Sequence, residues 1–233
     1  RQGEVPHRYV LGLYEFLDRL GKRYPDMLIE GCSGGGGRFD AGMLHYTSQI
    51  WCSDDTDTIE RLKIQYGTSF AYPVSAVGSH VSACPNHQTG RFVPFETRAA
   101  VAMAGTFGYE LDPAKLSEEE KTQIRGQIEE FKKYYDVIHF GDYYRLTNAM
   151  EEGPYAAWEF VSEDGNEALV SIVASRVRAN DPGVRIRLRG LKENQMYLVN
   201  GVEYPGGALM HGGILLEEAK KEYQSWNYHI TAK

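Results

Sequence analysis

Between residues 29 and 61 the chain reads IEGCSGGGGRFDAGMLHYTSQIWCSDDTDTIER. Five glycines stand from Gly31 to Gly37, and about twenty residues later four acidic side chains crowd between Asp54 and Glu60. Glycine lets a backbone come close to a ligand, and the N–H groups this exposes bind anions or hydroxyls. Neither the G-x-x-x-x-G-K-[ST] phosphate loop nor a convincing G-x-G-x-x-G unit is present, so neutral hydroxyls, as on a sugar, suit the run better than a nucleotide. A flexible turn is the plainer alternative. Asp57 reads as a helix cap. Asp54 and Asp55 are different: neighbouring carboxylates raise each other's pKa, and a raised carboxyl serves as a general acid near neutral pH. The pattern alone leaves the choice between those two open. Trp51, three residues before Asp54, offers either a face for a sugar ring or one more core aromatic.

Other reactive side chains gather nearby. Cys32, Cys52 and Cys84 follow three successive strand candidates, with His80 and His87 beside the third. A metal-dependent hydrolase is conceivable on those residues, but there is no CxxC pair, and no partner stands out to orient a Cys–His nucleophile. Packed thiols and hydrogen-bonded histidines are the default, and neither a metal nor a cofactor is expected. An odd number of cysteines with no secretory signal favours reduced thiols in the cytoplasm.

The elements that must position these residues alternate. Residues 8–20 place Tyr9, Leu13, Phe16, Leu17 and Leu20 on one helical face. Apolar strand candidates centre near 28, 50, 76 and 106, and a helix pattern follows each. Among these are a short helix capped by Asp40, one capped by Thr56 or Asp57, and one from Glu96 to Ala104. The last, opened by the Ser117–Glu120 capping box, runs to about Val137. Repeats of roughly 22–30 residues are βα units of a parallel sheet. Every unusual cluster lies just after a candidate strand, at the end where parallel α/β barrels keep their chemistry. After about residue 150 the rhythm becomes strand after strand: AAWEFVS, EALVSIVAS, VRIRLRG, MYLVNGV and WNYHITA, with hairpin signals at Asp164-Gly165 and Asn200-Gly201. The fold expected is α/β over 1–145, four βα units that make either a small open sheet or half of a (β/α)₈ barrel belonging to a longer protein, then an antiparallel β-domain over 146–233.

The 233 residues carry a formal charge of -7, with no basic stripe, which argues against a nucleic-acid surface. No apolar run is long enough to span a bilayer.

The long motif at 29–69, together with SHVSACPNHQTGR and TFGYELD, closely resembles the α-galactosidases of glycoside hydrolase family 36, above all the bacterial members that cleave raffinose and melibiose. The resemblance implies a (β/α)₈ barrel, of which this chain holds strands five to eight, followed by a C-terminal antiparallel β-sandwich. It implies retaining hydrolysis of terminal α-galactosyl groups from oligosaccharides, and a homo-oligomer, a tetramer for the full-length enzyme. Asp54 matches the family's acid/base, and Cys32, Ser33, Gly34 and Gly35 match its sugar-binding loop; Trp51 is added from the residue reading. The family nucleophile belongs to a KWDMNR-like motif that does not occur here, so the partner of Asp54 is expected in a missing N-terminal part, and the fragment alone is expected to be inactive. A galactose-binding or assembly module that uses the same loop without hydrolysis is the alternative.

Overall fold

The computed structural model describes residues 2–151, 153–177, 179–180 and 183–233. Helix α1 (Glu4–Arg23) leads to strand β1 (Glu30–Gly31), α2 (Ala41–Tyr46), β2 (Gln49–Ile50), α3 (Thr58–Thr68), β3 (His80–Ser82), α4 (Phe95–Met103) and β4 (Gly108–Glu110). Helices α5 (Glu118–Lys133) and α6 (Tyr135–Phe140) follow. β1 pairs with β2 and β3 with β4, all parallel, and a parallel bridge from Ile50 to Val77 joins the two pairs. The four strands therefore lie side by side in chain order with a helix in each crossover, as the βα rhythm predicts.

Local chemistry explains the boundaries. The side chain of Asp40 accepts the Met43 N–H at the start of α2, and that of Asp57 accepts Ile59 N–H and Glu60 N–H at the start of α3. Ser117 and Glu120 form the reciprocal capping box of α5. Two expectations shift. The third strand is not centred at 76: Val74–Ala76 makes a 3₁₀ turn, and the strand is His80–Ser82. The last helix breaks at Tyr134, so residues 118–140 form two helices.

The second part is one six-stranded antiparallel sheet in the order β10-β9-β12-β7-β6-β5. Its strands are β5 (Asp142–Arg145), β6 (Tyr155–Val161), β7 (Glu167–Ala174), β9 (Met196–Val199), β10 (Val202–Pro205) and β12 (Ser225–Ala232). A ribbon of β8 (Arg185–Ile186) and β11 (Ile214–Leu215) supplies a slight second layer. Of VRIRLRG, then, only two residues enter a strand. Asn200 and Gly201 both have positive φ and close the two-residue β9–β10 hairpin.

The sheet is covered on both faces. On one, Val170, Ile172, Tyr197 and Ile230 pack with Leu188, Leu209 and Leu216. On the other, Ala156, Trp158, Phe160 and Val173 pack with Leu62, Val101, Val137 and Ile138 of the helical part. This is why β6 is buried at every position, Glu159 included, and most of β7 is buried too, rather than alternating between core and solvent. The two parts thus share a core. Thr97 Oγ1 on α4 donates to Tyr223 O (2.6 Å), and Arg145 Nη1 donates to Ser69 Oγ (2.9 Å), tightening the seam.

Candidate active site

The glycine run leaves β1 and folds back over the segment that leaves β2. Ser33, Gly34, Gly35 and Gly36 all have positive φ, from 61° to 89°. Three of the glycines are required by close approach. A Cβ on Gly35 would sit 2.7 Å from Asp54 N, one on Gly36 would sit 2.9 Å from Cys52 O, and one on Gly37 would sit 2.7 Å from Ser33 O. Gly34 is different: a Cβ there would meet nothing within 4 Å. The loop therefore rests on the Cys52–Asp54 backbone and turns Gly34 to open space. Cys32 and Ser33 are half-buried beside it.

The three aspartates have separate environments. Asp57 is fully buried; besides capping α3 it accepts hydrogen bonds from Thr89 Oγ1 and Arg91 Nη1. Burial opposes its charge. The Thr89 hydroxyl, the Glu60 and Ile59 N–H groups and the Arg91 guanidinium outweigh that and hold its carboxyl below the usual carboxylate range. Asp55 turns inward, and its Oδ1 accepts Asp57 N–H at 2.9 Å. Asp54 is exposed, and its carboxylate takes no hydrogen bond or ion pair from the described residues. It is thus the member of the cluster whose carboxylate is free to meet a ligand.

Trp51 is held by two neighbours. His80 stacks on the indole at 4.6 Å between centroids, and the Arg61 guanidinium lies 4.7 Å from the ring centroid. Arg61 is buried and donates to Gly78 O (2.7 Å) and Ser53 O (3.3 Å). On β3, Val81 packs into the helix layer with Phe95, Ala99 and Ala102. His80 and Ser82 alternate with it, and His80 Nδ1 and Ser82 Oγ are buried without a hydrogen-bond partner.

The loop after β3 closes the arrangement. Gln88 Oε1 accepts Thr56 N–H (2.8 Å) and Thr56 Oγ1–H (3.1 Å), while Gln88 Nε2 donates to Asp54 O (2.9 Å). Asn86 Nδ2 donates to Thr56 Oγ1 (3.0 Å). Sequence reasoning singled out the cysteines and histidines of this loop and missed Gln88, Asn86, Thr89 and Arg91, as well as Arg61; no spacing rule links residue 88 to residue 54. Cys32, Cys52 and Cys84 are free thiols. Among the described residues, no group of three or more His, Cys, Asp or Glu side chains is placed to hold a metal ion, and no helix is long and apolar enough to cross a membrane.

Parallel βα units with a glycine loop and an unengaged carboxylate after their strands, joined to an antiparallel β-domain, are the arrangement in which parallel α/β proteins hold a strand-end site. The melibiase family model matches residues 1–141, and the model of the glycosyl hydrolase family 36 C-terminal domain matches 155–230. The chain belongs to glycoside hydrolase family 36. It is 57% identical over 231 residues to the bifunctional alpha-galactosidase/sucrose kinase AgaSK of Mediterraneibacter gnavus, covering 98% of this chain and 25% of that protein. It is 49% identical over 233 residues to alpha-galactosidase AgaA of Geobacillus stearothermophilus, covering 100% of this chain and 32% of that one. The structure superposes on the galactosidase domain of AgaSK with a TM-score of 0.95 at 57% identity, covering 97% of this chain and 32% of the other. On a substituted AgaA in complex with raffinose the TM-score is 0.94 at 48% identity, with the same coverage. The chain thus spans between a quarter and a third of the length of these relatives.

Proposed function

We propose that this chain is the acid/base-bearing part of a retaining α-galactosidase that removes terminal α-galactosyl groups from raffinose-type oligosaccharides. One observation carries the assignment within the cluster: Asp54 alone presents an unengaged carboxylate, at the end of β2, beside the glycine loop. In this reading the carboxylic acid of Asp54 protonates the glycosidic oxygen as the bond to the anomeric carbon breaks. The carboxylate then takes a proton from the water that releases galactose. Main-chain groups around Gly34 and Gly35, with Cys32 and Ser33, hold galactose hydroxyls, and Trp51 walls the site. AgaA variants have been crystallised with raffinose, with stachyose and with 1-deoxygalactonojirimycin, which supports this substrate class.

Retention needs a second carboxyl roughly 5–5.5 Å away as nucleophile. No KWDMNR-like motif occurs in the chain, so that group comes from the rest of the protein, and residues 1–141 supply barrel strands five to eight to it. The β-domain begins at Asp142 rather than at 146, because β5 (Asp142–Arg145) already pairs with β6, and the full protein is a cytoplasmic homo-oligomer, a tetramer.

The test is Asp54→Asn in the full-length protein. Activity on raffinose should fall by about 10²–10⁴-fold, while the first step on an aryl galactoside with a good leaving group falls much less. Unchanged kinetics on raffinose would move the role to Asp55.

A further inference from the structure

The main chain from Ser53 to Asp57 is tied down group by group, and none of the ties uses the Asp54 carboxylate. Arg61 Nη1 holds Ser53 O (3.3 Å), Ser53 Oγ accepts Asp55 N–H (3.2 Å), and Asp55 Oδ1 accepts Asp57 N–H (2.9 Å). These are local bonds within the segment or from the helix that follows it. Gln88 is the exception, since it reaches across from the loop after the next strand. Its amide forms a matched pair with the backbone: Nε2 gives to Asp54 O at 2.9 Å and Oε1 takes Thr56 N–H at 2.8 Å, as a neighbouring β-strand would do. The amide cannot turn over without opposing donor to donor and acceptor to acceptor. Its own loop is anchored in turn. Asn86 Oδ1 accepts Gln88 N–H (2.9 Å) and Thr89 N–H (3.1 Å), Asn86 Nδ2 donates to Thr56 Oγ1, and Thr89 and Arg91 bond the buried carboxylate of Asp57. Asn86, Thr56 and Asp57 are all buried, so the clasp has a rigid base even though Gln88 itself is exposed.

We propose that Gln88 is a positioning residue for acid/base catalysis: its amide clasps the backbone on both sides of the Asp54–Thr56 step and so aims the Asp54 carboxyl at the glycosidic oxygen. The inference rests on the α-galactosidase reading above. Gln88 touches no reacting atom; it acts through Asp54. Proton transfer depends steeply on geometry, and a displacement near 1 Å costs about 10²-fold in rate. Removal of the clasp should therefore hurt only the steps that need Asp54.

The experiment compares raffinose with an aryl α-galactoside whose phenolate leaves without a proton, in the full-length enzyme. Asp54→Asn comes first. A loss on raffinose far larger than on the aryl substrate establishes the acid/base reading; an absent or equal loss removes that reading and the inference with it. Gln88→Ala then tests the clasp. Its kcat/KM on raffinose should fall about 10–100-fold, while kcat/KM on the aryl galactoside stays within about threefold. Because the second step still needs a base, kcat on the aryl substrate should fall, and azide, a nucleophile that needs none, should restore it. Equal losses on both substrates would mark Gln88 as merely structural, and wild-type values on both would mark it as idle; either overturns the proposal. Should Gln88→Ala fail to fold, Gln88→Glu carries the same test. It keeps the acceptor toward Thr56, sets a carboxylate oxygen against the Asp54 carbonyl, and should show the same unequal loss.

Discussion

A methyl group on Gly35 would press on the amide nitrogen of Asp54, while one on Gly34 would enter open space. The two glycines should therefore fail differently. Gly34→Val carries the cost of a left-handed φ, roughly 1–2 kcal/mol, and should fold. It should raise KM for galactosides, because its side chain would fill the open space proposed above for the sugar hydroxyls. Gly35→Val must push the Ser53–Asp54 backbone aside, so it should lower kcat on raffinose as well as stability. Thermal melts and steady-state kinetics on both variants check the distinction. Normal galactose binding by Gly34→Val would reduce the loop to a turn.

At the scale of the element, the strand least like its neighbours is β6. Glu159 is fully buried in it, on the face packed against the ribbon side; Oε2 accepts Arg189 N–H at 2.9 Å, and Oε1 has no partner. Burial pushes its carboxyl up to about 8, with the Arg189 N–H and charge pulling the other way. Between the ordinary carboxylate pKa and about 8 the folded state holds a proton that the unfolded chain has lost, so stability is full below that window and falls as pH rises through it. The total is on the order of 5 kcal/mol. Glu159→Gln should flatten the decline in denaturant melts between pH 5 and pH 8.5. A parallel decline in the variant would assign the slope to other groups. Asp57 has the opposite sign: its depressed pKa contributes stability above the ordinary carboxylate range that is lost on acidification. Much of this level was legible in advance. Caps at Asp40, Asp57 and Ser117 follow from local side-chain chemistry, and the buried central strands announce themselves as apolar runs. What stayed hidden is non-local. Strand β5 is four residues whose pairing is fixed only by β6, strand β3 is polar on the face that turns away from α4, and the Gln88 clasp joins residues 34 apart.

For the molecule as a whole, uncovered apolar surface gathers along α1 and the stretch that leads to β1. Leu28 is 92% exposed, and Val5, Leu11 and Phe16 on α1 are also open, although Leu17 on the same helix is buried. The periodicity of α1 predicted one packed face including Tyr9 and Phe16; both are exposed, with Tyr9 met at its hydroxyl by Arg38 Nη1 (3.2 Å). Among the described residues the outer edges of β1 and β4 are unpaired as well. Parallel sheets are normally covered on both faces, and free edges recruit other strands. Residues 1–233 expressed alone should therefore self-associate and show no galactosidase activity, and co-expression with the remainder of the protein should restore both a defined assembly and turnover. Light scattering after size exclusion, followed by a raffinose assay, decides it. A monomer with cooperative unfolding would sink the open-edge argument.

The stack of Trp51 on His80, with Arg61 over the indole, also has an optical meaning. The emission of an indole depends on the groups packed against it, so the emission of Trp51 reports the state of that stack. A sugar that settles between the glycine loop and Asp54 alters the surroundings of the same ring. Galactose titrated into the full-length protein should change the intrinsic fluorescence, and the part of that change that vanishes in Trp51→Phe reads out occupancy of the strand-end site with no added label.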